Sequence, residues 1–429
     1  MNQIFELNMA VVAERWPGMS SLLQAQDIGS LDAELREGIE STLVINGVQL
    51  SSRHDRIAEA RLQSSIVDGD AHVVHLYGPG LGELPLAFLS RAGLKRLEVH
   101  ILNEAIFALV LHLVDQRGWL DDPRVSLTMA GDHRNIASPC FASPPELVLA
   151  SEFNAKIRDQ LVASLMVSFV NNRFAPDSPV LQARFESNKA LIRNDCDVSD
   201  LFGSRPGGEV WVVATGPSLA TQYAYLRSAK MRSEIPLLIA VDTALVPLLD
   251  NGVRPDMVVS VDQLTSIRTL PPVESKNLPL VYFPMLDNEV LAAWQGTRYA
   301  AYSPSALYAE LLAEIPRGVL YAGGSVLHAA VDLAVKMGAQ KIVLFGADFA
   351  LVGDQGHAGW LAGELAPRYN TSDWVLNGHG QRVKTLLNLR SYLCTLEHYI
   401  AAHPAVQFFN TSREGALIQG AAYHPEFVK

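Results

Sequence analysis

Twice along its length this chain alternates short β-branched runs with helical segments, and that alternation restricts it to parallel-sheet folds. In the first round, "STLVING" (41–47) and "HVVHLYGPGLGELPLAFLSRAG" (72–93) predict strands, the second followed by a glycine turn and a helix. "KRLEVHILNEAIFALVLHLVDQRG" (95–118) predicts a strand and a long helix, and "RVSLTMAG" (124–131) a further strand. Residues 1–35 carry apolar positions at helical spacing, and 146–200 read as mostly helical and polar. The second round begins at Glu209, with strands expected at Glu209–Ala214, "PLLIAVD" (236–242), "MVVSVD" (257–262), "PLVYFP" (279–284), "RYAAYSP" (298–304) and "KIVLFGADF" (341–349). A helix near 384–403 and a terminal strand "VQFFN" (406–410) close it. The expected fold class is α/β: two Rossmann-like parallel-sheet domains joined by a helical segment. The boundaries expected are 1–145 for the first domain, 146–205 for the bridge and 206–429 for the second.

Composition limits the functions open to such a chain. The 429 residues carry a formal net charge of −11, which excludes a non-specific nucleic-acid binder, since neutralising phosphates needs a Lys/Arg surplus. A local pocket for an anionic ligand stays compatible with that charge. The three cysteines, Cys140, Cys196 and Cys394, form no CxxC or Cys/His pattern, which points to a reducing compartment without structural zinc. "MNQIFELNMAVVAERWPGM" lacks a basic segment before an apolar core, so no signal peptide is expected. No run of about 18 apolar residues occurs, so no membrane insertion is expected. The expected location is the cytoplasm.

Several stretches could carry chemistry. In "VWVVATGPSLA" (210–220) a strand breaks at Gly216, Pro217 and Ser218 and resumes as a helix. Free backbone N–H groups at such a helix start suit a phosphate, at the strand end where open α/β sheets bind ligands. Within "AVDTALVPLLDNGVRPDMVVSVD" (240–262), Asp242 and Asp262 each end a strand and share that edge. They suit ribose, sugar or metal binding; helix capping is the plainer account of Asp242. Gly323, Gly324 and Ser325 open a second helix at the same edge, and the strand after it ends in Asp348. His328, on that helix, reads as packing. His357, in the glycine-rich "GDQGHAGWLAG" (353–363), suits a general base on a loop able to close over substrate, with His379 in "NGHGQ" as competitor and Asp262 as a further option if its surroundings are dry. Asn410, Thr411 and Ser412 follow the last strand and suit hydroxyl or nucleobase recognition, or else a helix cap. Finally, Gly78, Gly80 and Gly82, with Glu98 ending the next strand, approach a dinucleotide or methyl-donor site; a degenerate Rossmann domain fits better.

The order "ATGPSL … AVDTAL … LLDNGVRPDMVVSVD … AGGSVLHAAVDLAVKMGAQKIVLFGADFAL … GDQGHAGW", with "FFNTSREGALIQGA" after it, resembles the motility accessory factor family of bacterial flagellin glycosyltransferases. The resemblance implies a central domain similar to bacterial sialyltransferases over about 180–360. It implies transfer of a nonulosonic acid, pseudaminic or legionaminic, from its CMP-activated form to Ser or Thr of flagellin. Gly216, Pro217 and Ser218 would then contact the nucleotide phosphate, Asp242 and Asp262 line the nucleotide and sugar pocket, and Gly323 to Ser325, Asp348 and His357 complete the site. No tightly bound cofactor is implied beyond the CMP-sugar donor, and the need for a divalent metal stays open.

Ala214 stands where many members have glycine, "NTSREG" departs from the usual closing motif around Arg413, and the chain stops soon after it, which leaves acceptor recognition open; the oligomeric state is open as well. The same central domain resembles archaeal pterin pyrophosphokinase-type enzymes, which implies pyrophosphoryl transfer from ATP with Mg²⁺. A methyltransferase using residues 72–118 and a non-catalytic flagellin-binding assembly factor are the other readings.

Overall fold

A computed structural model describes residues 3–172, 178–230, 236–353, 355–360 and 371–427, excepting the side chains of 166–172. It divides into two compact units, Met1–Leu165 and Met166–Lys429. The expected bridge divides between them. Ile157 and Leu161 of helix Ala155–Asn172 pack with Tyr77 and Leu102 in the first unit. Helix Pro179–Asn194 places Leu181, Phe185 and Ile192 in the second core. Residues 173–177 of the bridge, and Asp354 and 361–363 of the glycine-rich loop, lie outside the described residues.

The first unit holds a four-stranded parallel sheet of β1 (Val73–Tyr77), β2 (Arg96–Ile101), β3 (Val125–Met129) and β4 (Cys140–Ala142), in the order β3-β2-β1-β4. Val74, Leu76, Leu97, Val99 and Leu127 build its core. "STLVING" is not part of this sheet. Its strand, Thr42–Ile45, pairs antiparallel with Ala33–Arg36 and with Val48–Gln49. The reason is local: Asn46 and Gly47 have φ of 50° and 78°, the two left-handed residues of a tight hairpin turn, whereas a parallel connection needs a long crossover.

The second unit is built on nine parallel strands: β5 (Cys196–Asp197), β6 (Glu209–Val213), β7 (Leu237–Val241), β8 (Met257–Ser260), β9 (Leu280–Tyr282), β10 (Arg298–Ala300), β11 (Lys341–Phe345), β12 (Gln407–Asn410) and β13 (Ala421–Tyr423). Their order is β13-β12-β11-β6-β7-β8-β9-β10-β5, every pairing parallel. The central strands are buried along almost their whole length, which accounts for their unbroken Val, Ile and Leu runs. "VQFFN" is not the last strand; the three-residue β13 follows it, too short and alanine-rich to show a period. β6 leads through β7 toward one side of the sheet while β11 flanks it on the other, so the topological switch lies between β6 and β11. In such sheets ligands bind at the carboxyl ends beside that switch.

Candidate functional site at the carboxyl edge of the second sheet

Where β6 and β11 end, two glycines face each other. The Gly216 N–H donates to the Gly346 carbonyl at 2.7 Å. A β-carbon on Gly216 would come within 2.5 Å of the Asp348 carboxylate, and one on Gly346, whose φ is +61°, within 2.5 Å of the Ala214 carbonyl. Only glycine fits either position.

The break at Gly216, Pro217 and Ser218 is not an open anion cradle. Pro217–Thr221 is a five-residue 3-10 turn, and the α-helix begins only at Tyr223. The Ser218 N–H donates to Asp348 Oδ2 at 2.7 Å, and the Leu219 N–H to the Gly216 carbonyl at 3.0 Å. The Asp348 carboxylate therefore fills the position expected for a phosphate. It is buried between this turn and Gly415, where a β-carbon would come within 2.6 Å of its Oδ1. Burial pushes the Asp348 carboxyl up, the bonding to Ser218 opposes that, and nearby Glu414 adds to it.

Asp242 and Asp262 share the edge but not an environment. The strands stop at Val241 and Ser260, short of both. Asp242 is 2% exposed, and its Oδ2 accepts from Ser260 Oγ at 2.6 Å and from Thr265 Oγ1 at 2.9 Å. Its Oδ1 accepts from the adjacent Thr243 N–H at 2.7 Å, a contact to the next residue and not the N2 or N3 bond of a helix cap. Burial pushes the Asp242 carboxyl up against those three bonds. Asp262 is exposed in the following loop, where Oδ1 accepts from the Leu264 N–H at 2.9 Å. The dry setting that a basic Asp262 would require is absent.

The other expected donors are largely engaged. Ser325 Oγ accepts from the Leu327 N–H at 3.3 Å, and the Ser325 N–H donates to His328 Nδ1 at 3.4 Å, so this turn closes helix Val326–Lys336 upon itself. Thr395 and Tyr392 of helix Leu387–Ala402 cover Gly323 and Gly324. His328 is buried, its Nε2 lies 3.0 Å from the Tyr392 carbonyl, and burial lowers its pKa to about 4. Thr411 Oγ1 donates to the Leu344 carbonyl and accepts from Gln222 Nε2, both at 2.8 Å. Asn410 is buried, its Oδ1 accepting from the Ser412 N–H at 3.3 Å.

His357 sits over the end of β6. The Ala358 N–H donates to the Thr215 carbonyl at 2.7 Å, and Trp360 Nε1 donates to the Thr243 carbonyl at 2.9 Å. These bonds pin the described part of the glycine-rich loop across β6 and β7. His357 is half-buried, and that burial lowers its pKa. His379 lies in the exposed turn between strands Trp374–Leu376 and Arg382–Lys384, with Nε2 3.2 Å from Glu414 Oε1.

Sequence reasoning missed Ser260 and Thr265, which seat Asp242; Gln222, which reaches Thr411; and Glu414. Ser260 carried a signal, as a polar residue ending an apolar strand. Gln222, Thr265 and Glu414 carried none, because their partners are distant in sequence.

The glycine turn of the first unit is filled in the same manner. The Gly80 N–H donates to Glu146, and a β-carbon on Gly78 would come within 2.7 Å of Glu146 Cδ. Burial pushes the Glu146 carboxyl up to about 7. Glu98 is three residues short of the end of β2 and pairs with Arg96. The chain's own Glu146 thus occupies the turn where a pyrophosphate would lie, and Glu98 does not stand at the strand end where a ribose carboxylate would.

Among the described residues, no group of three or more His, Cys, Asp or Glu is placed to hold a metal ion, and no helix is long and apolar enough to cross a membrane. No curated protein matches the chain by sequence. Among solved structures the chain is similar to the Maf glycosyltransferase of Magnetospirillum magneticum AMB-1, with 16% identity and a TM-score of 0.46, over 100% of this chain and 76% of that one. The model of the 6-hydroxymethylpterin diphosphokinase MptE-like family matches residues 184–354, which contain β6 to β11 and the switch between them. Over that stretch, the chain is similar to the MptE-like family.

Proposed function

We propose that the chain is a glycosyltransferase that takes a nonulosonic acid, pseudaminic or legionaminic, from its CMP-activated form to Ser or Thr of flagellin, in the cytoplasm. One observation carries this reading. The motifs on which the flagellin glycosyltransferase resemblance rests are scattered from Gly216 to Thr411, yet the topology gathers them at one sheet edge, beside the switch point. The groups that face solvent there suit a charged sugar nucleotide: Gly216 and Pro217 at the turn, Thr243, Asp262 beyond β8, and His357 and Trp360 over β6 and β7. Asp242, Ser325, Asp348, Asn410 and Thr411 act behind them, holding the loops that present them. In the reaction an acceptor hydroxyl oxygen bonds to the anomeric carbon. The bond from that carbon to the phosphate oxygen breaks, CMP leaves with the electron pair, and the hydroxyl proton passes to a base.

The direct test is to incubate the protein with flagellin and either CMP-nonulosonate. One nonulosonic acid should be added per modified flagellin site by intact mass, with one CMP released for each. No mass gain and no CMP release with either donor would refute the proposal.

The family match favours a second reading, pyrophosphoryl transfer from ATP to a hydroxymethylpterin. It requires ATP and Mg²⁺ at the same edge, so formation of AMP from ATP in the presence of the pterin would replace the first reading with the second.

A further inference from the structure

The geometry points to His379 as the base that takes the acceptor's proton, at Nδ1, with Glu414 as the residue that positions it; this rests on the glycosyl-transfer reading above. Glu414 Oε1 lies 3.2 Å from His379 Nε2. A carboxylate oxygen accepts hydrogen bonds, so in the neutral imidazole the contact selects the tautomer with the proton on Nε2 and the lone pair on Nδ1.

A pair on the surface is ordinarily a weak and mobile contact. Here the backbone that carries each partner is held. The His379 N–H donates to Asn377 Oδ1 at 3.0 Å, and the Glu414 N–H to Ser412 Oγ at 3.1 Å. The two loops are also tied together. The Gly378 N–H donates to the Arg413 carbonyl at 2.8 Å, and Arg413 Nη1 to the Gly378 carbonyl at 3.2 Å. The Leu417 N–H reaches the Leu376 carbonyl at 2.8 Å. Glu414 precedes Gly415, which packs on Asp348, which in turn holds Ser218. A continuous set of contacts thus joins the dyad to the switch-point turn. Its ring is also open to an incoming hydroxyl, since His379 is exposed where His357 is half-buried.

The test uses the full-length protein and the variants His379→Ala, Glu414→Ala, Glu414→Gln, the double variant His379→Ala/Glu414→Ala, and His357→Ala. Transfer to flagellin gives kcat and KM, and CMP affinity is measured separately. His379→Ala should lower kcat about 100- to 10,000-fold, with CMP affinity within about threefold of wild type. Glu414→Ala should lower kcat at least about tenfold in the wild-type background and not at all in the His379→Ala background, because a positioning residue acts only through its partner. Glu414→Gln, whose carbonyl oxygen can still accept from Nε2, should recover most of that loss. Equal effects of Glu414→Ala in both backgrounds, or His379→Ala within tenfold of wild type while His357→Ala abolishes turnover, would overturn the assignment alone. Absence of both CMP binding and transfer in the wild-type protein would overturn the transferase reading and the dyad with it.

Discussion

The Ser218 N–H and the Asp348 carboxylate meet at 2.7 Å across the switch point, so this chain closes its phosphate-like turn with a side chain of its own. Two strands that end 132 residues apart in the chain, at Val213 and Phe345, are thereby locked where the sheet stops. The buried carboxyl is pushed toward its neutral form, which makes its value as an acceptor more important than its charge.

Asp348→Asn, which keeps an oxygen for the Ser218 N–H, should therefore change unfolding free energy by less than about 1 kcal/mol. Asp348→Ala leaves a buried donor without a partner and should cost about 1–3 kcal/mol. Urea denaturation distinguishes them. Equal losses in the two variants would show that the charge, and not the acceptor, holds the turn.

The two aspartates of the edge should separate in the same assay. Asp242→Ala removes the acceptor shared by the buried Ser260 and Thr265 hydroxyls, leaving them only each other, and should cost about 1–3 kcal/mol of stability. Asp262→Asn alters an exposed side chain and should stay within about 0.5 kcal/mol of wild type, yet lower transfer activity. A stable Asp242→Ala protein, or an Asp262→Asn protein that loses its fold, would reverse their roles.

Glu146 makes the stability of the first unit depend on pH. Its carboxyl lies at about 7 when folded, against an ordinary 4.5. The folded state thus holds the proton more tightly, and stability falls as pH rises from about 4.5 through 7. Glu146→Gln can still accept from the Gly80 N–H but cannot ionise. Relative to wild type, the variant should gain melting temperature at pH 8 compared with pH 4, as read by calorimetry at both. Parallel profiles for the two proteins would contradict a buried, neutral Glu146.

Much of this architecture was legible in the residues. The Val- and Ile-rich runs at 210–213, 237–241, 257–260 and 341–345 are central strands buried on both faces, and nothing else explains such runs between helices. The hairpin at Asn46-Gly47 was also written there, as a turn signal outweighed by the alternation around it. The short β4, β5 and β13, of two or three residues, show no period because they are too brief to have one. Within the site, sequence placed the glycines and strand ends correctly at one edge but could not show which polar groups face inward. Asp348 and Ser218 are 130 residues apart, and their bond alone converts an apparent anion cradle into a closed turn. Thr411 and Gln222, 189 apart, are engaged for the same reason.

The central claim is that a cytidine nucleotide occupies the edge beside Gly216, and differential stabilisation tests it most directly. CMP, ATP with Mg²⁺, and S-adenosylmethionine should each be titrated into the wild-type protein and into Asp262→Ala while melting temperature is followed. A ligand at about a hundred times its dissociation constant stabilises by roughly 2.7 kcal/mol. The account predicts that CMP raises the melting temperature of wild type and does so less for Asp262→Ala, while S-adenosylmethionine changes neither. A rise with ATP and Mg²⁺ but none with CMP would contradict it.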